Sequence, residues 1–358
     1  MIYKQDFDIT KKYWRAFWEK ELIDRPPICV TAPKDSTSSP IHSWSPTLSY
    51  QACMKKQYDA LLESFNTLAS STYYAGEALP FFEVTLGPDQ YAAFLGAEII
   101  AKDEYYTTWV QSNVDDWQNF NINIDKAENG YYAHVKDFMS AAAAFSKDKF
   151  FIGMLDLHSN LDALSALRGP QNLCLDLIDC PEQVHRVLNE TRKTYSDIFN
   201  MAYIAGEMES CGSIGWAPTY CEHGKFAVLQ CDFSCMISPQ SAREFVIPAI
   251  REEAAFLDRC VYHYDGKGAL GHLEDILAIE DIDVIQWVPG DGQPRSLKWM
   301  DLLKKIQKSG KSLWIYDWTV EEIKMHFKEL EPNKVVFSTT AASRDEADEL
   351  LEYVRKHM

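Results

Sequence analysis

Short apolar runs alternate with amphipathic stretches along most of this chain. Aromatic and apolar residues at helical spacing predict an N-terminal helix within residues 5–22, and the apolar run 28–32 predicts a first strand. A loop rich in Ser, Thr and Pro is predicted over 34–49. Because helices and short apolar strands keep alternating to the last helix, the pattern favours the α/β class, with a parallel sheet closed into a (β/α)8 TIM barrel.

The stretch 259–288 concentrates polar groups in one strand, loop, helix and strand unit. Its first strand ends in His263-Tyr264-Asp265, and a glycine turn follows. Strand side chains alternate, so His263 and Asp265 share one face. The carboxyl ends of parallel strands are where enzymes of this architecture carry their chemistry, which makes both residues catalytic candidates. They are also candidate ligands for zinc or another divalent metal, and a hydrogen-bonded pair that orients substrate is the alternative.

Other polar residues follow a second apolar strand near residue 152. Asp156 and His158 lie just beyond its end and are candidates to line the same cavity. The segment approaches the Asp-x-His-x-x-Gly signature of corrinoid-binding domains, but Leu161 replaces the glycine, so His158 is not interpreted as a cobalt ligand. Glu83 lies in a turn-rich stretch, and either reaches the cavity or lies in solvent.

Two tryptophans, Trp216 and Trp287, lie near predicted strand ends. Such aromatic side chains usually pack in a core or form a cavity wall. Next to carboxylates they are also suited to hold a cationic or planar methylated ligand, so both are candidate substrate contacts.

Composition limits the classes of function. With 358 residues and 46% apolar composition, the chain is long enough for one large core, and a single barrel is as plausible as two domains. A formal net charge of −18 argues strongly against a nucleic-acid or anionic-membrane surface, because both need basic patches. Nine cysteines without a Cys-x-x-Cys pair, and no secretory or membrane-spanning apolar run, predict free thiols in the cytoplasm. Nucleotide-binding and serine-hydrolase signatures are absent.

Three segments carry a family resemblance. These are 167–188, with a Pro-Glu helix start; 230–250, with an Ile-Ser-Pro and a Phe-x-x-Pro pattern; and 262–287, with the histidine strand and glycine turn. Together with 86–99 they resemble the uroporphyrinogen decarboxylase superfamily, which includes corrinoid-dependent methyltransferases. The resemblance implies a single TIM-barrel domain over 1–358, with a helical segment 1–27 packed on it and the site at the carboxyl ends of the strands.

The chain departs from the family pattern at three places. Zinc-dependent methyltransferases of this superfamily carry His-x-Cys on the corresponding strand and a further cysteine near the last strand. Here His263 matches the histidine, but Asp265 replaces the first cysteine. Residues 337–340, near the last predicted strand, contain no cysteine. Imidazole and carboxylate ligands suit a harder ion and an oxygen or nitrogen substrate. The decarboxylases carry an arginine-rich N-terminal motif, of which only Arg25 is found here.

The resemblance and these departures together imply a methyltransferase component that moves a methyl group between a small substrate and a separate corrinoid protein. No covalent cofactor is expected, and a homodimer is left open. The residues expected around the cavity are catalytic Asp156, Asp232, His263 and Asp265, and substrate contacts His158, Trp216, Gln286, Trp287, Asp317 and Glu83. Two alternatives stay open: a decarboxylase of a tetrapyrrole or small carboxylic acid, in which Asp156 or Asp232 stabilises a cationic intermediate, and a non-catalytic binding barrel.

Overall fold

The computed structural model describes residues 1–35, 45–102 and 106–358. Most of the loop predicted over 34–49 lies outside these residues, and its last part is already helical, because a helix begins at Pro46. Helices and strands alternate along the chain, which confirms the predicted α/β class. Within the described residues, no helix has the length and apolar character needed to cross a membrane.

Eleven strands are found in the described part of the chain. In order they are β1 (Ile28–Pro33), β2 (Thr72–Gly76), β3 (Phe81–Phe82), β4 (Glu98–Ala101), β5 (Thr108–Gln111), β6 (Phe151–Ile152), β7 (Phe226–Gln230), β8 (Arg259–Asp265), β9 (Val284–Val288), β10 (Ser312–Ile315) and β11 (Val335–Thr340).

The helices surround these strands. In order they are α1 (Phe7–Trp18), α2 (Pro46–Lys55), α3 (Asp59–Ser71), α4 (Gln90–Phe94), α5 (Tyr131–Ser146), α6 (Asn160–Arg168), α7 (Pro170–Asp179), α8 (Pro181–Ala205), α9 (Met208–Cys211), α10 (Pro239–Ser241), α11 (Ile247–Phe256), α12 (Leu273–Leu277), α13 (Met300–Lys308), α14 (Val320–His326) and α15 (Arg344–His357).

Seven strands form one sheet in the order β2, β1, β11, β10, β9, β8, β7. All neighbours are parallel except β2, which is antiparallel to β1. β3 and β6 pair separately in parallel, and β4 and β5 form an antiparallel pair. In the described residues β2 and β7 are the edges of the large sheet, so this hydrogen-bonded ladder does not by itself form a closed ring.

The strand register brings three polar residues into one row. Gln230 on β7 is opposite His263 on β8, which is opposite Gln286 on β9. Side chains directly opposite in a sheet point to the same face. The row lies at or near the carboxyl ends of these strands, where the loops that follow carry further polar groups.

The predicted N-terminal helix is present as α1, and it buries Tyr13, Trp14, Phe17 and Trp18. The indole N–H of Trp18 donates to the carbonyl of Tyr220 at 2.8 Å, and its ring packs against Phe226. Phe226 is the first residue of β7, so this aromatic contact fixes α1 near the amino end of the strand. The helix therefore lies away from the row of polar side chains.

A buried ion pair connects the chain entering β1 with the chain leaving β2. The guanidinium of Arg25 donates to both carboxylate oxygens of Glu77, at 2.6 and 2.9 Å, and Arg25 also lies over the ring of Tyr13. Glu77 accepts a third hydrogen bond from the backbone N–H of Ile28 at 2.8 Å. The two side chains are 4% and 1% exposed, so each needs the other to compensate its charge.

Replacement of Arg25 by Met should leave the Glu77 carboxylate buried without its cation. We expect the free energy of unfolding in urea to fall by roughly 3–5 kcal/mol. The double variant R25M/E77L should recover part of that loss. As a control, Asp137→Asn, which breaks an exposed pair with Lys56, should change the stability by less than about 1 kcal/mol. A loss no larger for R25M than for D137N would contradict the role of this pair.

Candidate functional site

His263 is the central residue of the polar row. Its Nδ1 lies 2.5 Å from Oε1 of Gln286, the residue opposite it on β9. Because a glutamine oxygen can only accept, Nδ1 carries a proton and donates it to Gln286. Nε2 faces Asp232, 3.8 Å from Oδ1.

Asp232 stands where β7 passes into a short 3₁₀ turn, Asp232–Met236. The carboxylate of Asp162 fixes the start of this turn by accepting the backbone N–H groups of Asp232 and Phe233, at 3.0 and 2.8 Å. Burial and the neighbouring charge of Asp162 raise the pKa of Asp232 to about 6, against the opposing effect of His158. Oδ1 of Asp232 has no hydrogen-bond partner in the described residues, so it is free to accept a cation.

His158 lies among carboxylates. Nε2 is 3.2 Å from Asp156, and Nδ1 is 3.5 Å from Asp162 and 3.8 Å from Asp232. Burial opposes a charge on the ring, but Asp156 and Asp162 outweigh it and raise the pKa of His158 well above its ordinary value. His158 is therefore an imidazolium cation at neutral pH.

Asp156 is the anion that pairs with this imidazolium. Burial alone would raise the pKa of Asp156. The contacts with His158 and the 2.6 Å hydrogen bond donated by the Gln230 amide outweigh burial, so the pKa of Asp156 is lowered. The Gln90 amide donates to the backbone carbonyl of Asp156 at 2.8 Å and holds the turn in place. Gln230 and Gln90 thus position Asp156 toward His158.

Three side chains of the cluster have the arrangement of a metal site. Asp232, His263 and Asp265 each offer a ligand atom, and these atoms all lie within 4.8 Å of one another. Gln286 orients the His263 ring through Nδ1, which leaves Nε2 as the nitrogen that can bind a metal ion. One imidazole and two carboxylates suit zinc or a harder divalent ion.

A second group, His158, Asp162 and Asp232, meets the same distance condition. It is less suited to a metal ion, because the His158 ring is already held as a cation by its carboxylate partners. Asp232 belongs to both groups. It therefore lies between the rings of His263 and His158.

Aromatic rings form one wall beside His263. The Trp216 ring meets the imidazole edge-on with centroids 5.1 Å apart, and Trp314 packs 5.7 Å from Trp216. The Trp314 indole donates to the hydroxyl of Ser338 at 2.8 Å. Trp216, a candidate substrate contact, thus lies beside His263 of the cluster.

Glu83 follows the short strand β3 and is partly buried. Burial, and to a lesser extent the charge of Asp156, raise the pKa of the Glu83 carboxyl to about 8. Glu83 therefore carries its proton at neutral pH close to the ionised Asp156. A protonated carboxyl of this kind can act as a proton donor.

Two predicted substrate contacts lie elsewhere. Trp287 is 1% exposed and packs against Tyr264 and Trp299, with centroids 5.4 and 5.3 Å away. It follows Gln286 directly in β9, so the alternation of strand side chains points it away from His263. The Asp317 carboxylate accepts from the backbone N–H of Ser296 at 2.7 Å, and lines a separate cavity of about 450 Å³.

The cluster opens on one side into a groove of about 460 Å³. His158, Asp162 and Asp232 line it together with Asp89, Trp109 and neighbouring residues of β5 and α6. The groove gives a small molecule access to the carboxylates.

Four residues of the site were not identified from the sequence: Gln90, Asp162, Gln230 and the buried Glu253 beneath them. For Asp162 a local signal exists, because it lies four residues after His158. Gln230 became recognisable only through its register opposite His263. Gln90 and Glu253 contact the site through tertiary packing alone.

The raised pKa of Asp232 predicts how stability depends on pH. The pKa of Asp232 is about 6 in the folded chain and near 3.8 in the unfolded chain, so the folded chain binds this proton more tightly. The free energy of unfolding therefore falls as pH rises from about 3.8 to about 6. Asp232→Asn should therefore melt at a higher temperature than the wild type at pH 7.5 in metal-free buffer. The difference should vanish near pH 4. A variant that is less stable at pH 7.5 would contradict this assignment.

Comparisons with known proteins bear on the fold. No model of a known protein family matches the sequence, and a search of curated proteins finds no match. Among solved structures, the chain is similar to a methyltransferase from Methanosarcina mazei with a TM-score of 0.60, over 97% of this chain and 98% of that one. The sequence identity is 14%, so the likeness establishes a shared fold.

Proposed function

We propose that this protein is a cytoplasmic methyltransferase built on a single closed (β/α)8 barrel, which moves a methyl group between a small substrate and a separate corrinoid protein. One observation carries the proposal: Asp232, His263 and Asp265 converge, beside a charged His158, at the carboxyl ends of the strands. The similarity of the whole chain to a methyltransferase structure supports it. The corrinoid protein is proposed to dock over this end of the sheet.

The donor set fits a divalent metal ion, and the fit rests on the free Oδ1 of Asp232 and on Nε2 of His263. Asp232, His263 and Asp265 would hold the ion. When bound, it would supply Lewis-acid polarisation of the oxygen or nitrogen atom that carries the methyl group.

The side chains around this position have separate tasks. His158 balances the charges of Asp156 and Asp162, so that Asp232 can ionise at neutral pH. In transfer toward the corrinoid protein, a new bond would form between the methyl carbon and the reduced corrinoid, while the bond from carbon to oxygen or nitrogen breaks with its electron pair left on the departing atom. Glu83 gives its proton to that atom. Trp216 and Trp314 shield the site from water on one side.

The charges favour a neutral or cationic substrate over a polyanion. A porphyrinogen decarboxylase needs cations for the substrate carboxylates, and Arg25 is occupied by Glu77 at the opposite end of β1. In the described part of the chain, the cluster carboxylates make no ion pair with an arginine or lysine. The convergence of ionisable groups also favours an enzyme over a binding barrel.

The first test is methyl transfer to chemically reduced cobalamin, with aryl methyl ethers and methylamines as donors. We expect an absorbance change from cob(I)alamin to methylcobalamin with at least one donor. His263→Ala should lower kcat/KM about a hundredfold or more. His185→Gln changes an exposed histidine on α8 and should have no effect. No absorbance change with any donor, with candidate corrinoid proteins also supplied, would exclude this function.

The second test concerns the metal ion. The protein should bind Zn²⁺ or Mn²⁺ in equilibrium dialysis, and Asp232→Asn and His263→Gln should each weaken binding by roughly tenfold to a hundredfold. Affinity should fall as pH drops through about 6, because protons compete for Asp232. Asp317→Asn is the matched control outside the cluster. Equal affinity in D232N and D317N would place any bound metal elsewhere.

A further inference from the structure

Glu253 lies beneath the cluster, on α11, and the proposed mechanism does not use it. It is 2% exposed, and its Oε1 accepts the hydroxyl of Ser159 at 2.6 Å. Ser159 is the residue directly after His158 and is itself 1% exposed. Glu253 thus reaches the turn that carries the charged imidazole.

This turn has an unfavourable backbone conformation that needs support. Asn160 has φ of +50°, in the left-handed region that residues other than glycine adopt at a cost. Its side chain donates to the hydroxyl of Ser159 at 3.3 Å and to the carbonyl of Gln230 at 3.1 Å, and accepts from the backbone N–H of Leu161 at 2.7 Å. The Ser159 hydroxyl therefore receives one hydrogen bond and passes one to Glu253.

We propose that Glu253 is a positioning residue: its buried carboxyl accepts the Ser159 hydroxyl, holds the turn over residues 157–160, and so fixes His158 between Asp156 and Asp162. The inference rests on the proposed function for its catalytic meaning, while the geometry is independent of it. Glu253 touches no reacting group in this account. It acts through Ser159.

The surroundings of Glu253 favour its uncharged form. Oε2 is buried without a hydrogen-bond partner in the described residues, so an ionised carboxylate would leave charge on an unpaired atom. Burial raises the pKa of Glu253 to about 8, against the hydrogen bond from Ser159.

The charged and titratable groups that face Glu253 come from several elements. They are Asp162 on α6, Arg192 and Tyr195 on α8, Tyr91 on α4, and Cys231 after β7. Arg192 is the only cation among them, and its side chain is already paired with Glu252. The charge of Asp162 disfavours the anionic form of Glu253. We therefore expect Glu253 to ionise near pH 8, and its carboxylate to draw water into the turn.

The test is the imidazole NMR signal of His158 in protein labelled on its histidines, assigned by its loss in His158→Gln. In the wild type the signal should shift near pH 8. Glu253→Gln keeps an acceptor for Ser159 and cannot ionise, so it should show the wild-type signal at pH 7 and lack the shift near pH 8. Glu253→Leu and Ser159→Ala should move the signal at pH 7.

Two controls keep the result interpretable. Glu244→Gln, an exposed glutamate just before α11, should behave as the wild type at every pH. S159A is a small change that reports on the same hydrogen bond should E253L fail to fold. The proposal is overturned if S159A leaves the His158 signal unchanged, or if E253Q retains the shift near pH 8.

Activity separates this proposal from the proposed function. E253L and S159A should lower kcat roughly tenfold to a hundredfold with KM little changed, and E253Q should restore it at pH 7. Methyl transfer with unchanged kcat in S159A would overturn the positioning role alone. The expected NMR pattern without methyl transfer in any variant would overturn the proposed function alone.

Discussion

The contact of His158 with Asp156 and Asp162 is the interaction on which the site depends. Several carboxylates are packed at one end of the sheet, where water screens them poorly and each disfavours the ionisation of the next. One buried imidazolium among them compensates part of that charge. Asp232 is left with a pKa near 6, so it can ionise at neutral pH and still accept a cation.

The two histidines of the site differ because their partners differ. His158 lies against ionised carboxylates and is charged. His263 lies against the neutral amide of Gln286, which accepts a hydrogen bond from Nδ1 and leaves Nε2 facing Asp232. The same side chain thus serves as a fixed cation in one place and as a potential metal ligand in the other, and Asp232 lies between them.

Much of this could be predicted from residues that are close in sequence. The alternation of strand side chains places His263 and Asp265 on one face, and the ends of short apolar runs locate Asp156, His158 and Trp216. The same alternation, applied to Gln286 and its neighbour, would have directed Trp287 into the core. A residue's place at the end of a strand is therefore a weaker indication of a site residue than that place together with the face of the sheet to which its side chain points.

The rest depends on packing between distant elements. Asp162 fixes the backbone of Asp232, 70 residues away, and Glu253 contacts Ser159 from 94 residues along the chain. No local pattern marks such contacts, because the docking of α6 and α11 on the sheet sets them. The resemblance seen in the sequence includes His263 but not a cysteine at Asp265, so the chemistry of the donor set follows from the geometry and not from the motif.

The central claim is that Asp232, His263 and Asp265 form one metal centre. Anomalous diffraction from crystals grown with Mn²⁺ or Zn²⁺ tests it most directly: the account predicts a peak bounded by these three side chains, and a peak elsewhere, or none at this position, would contradict it.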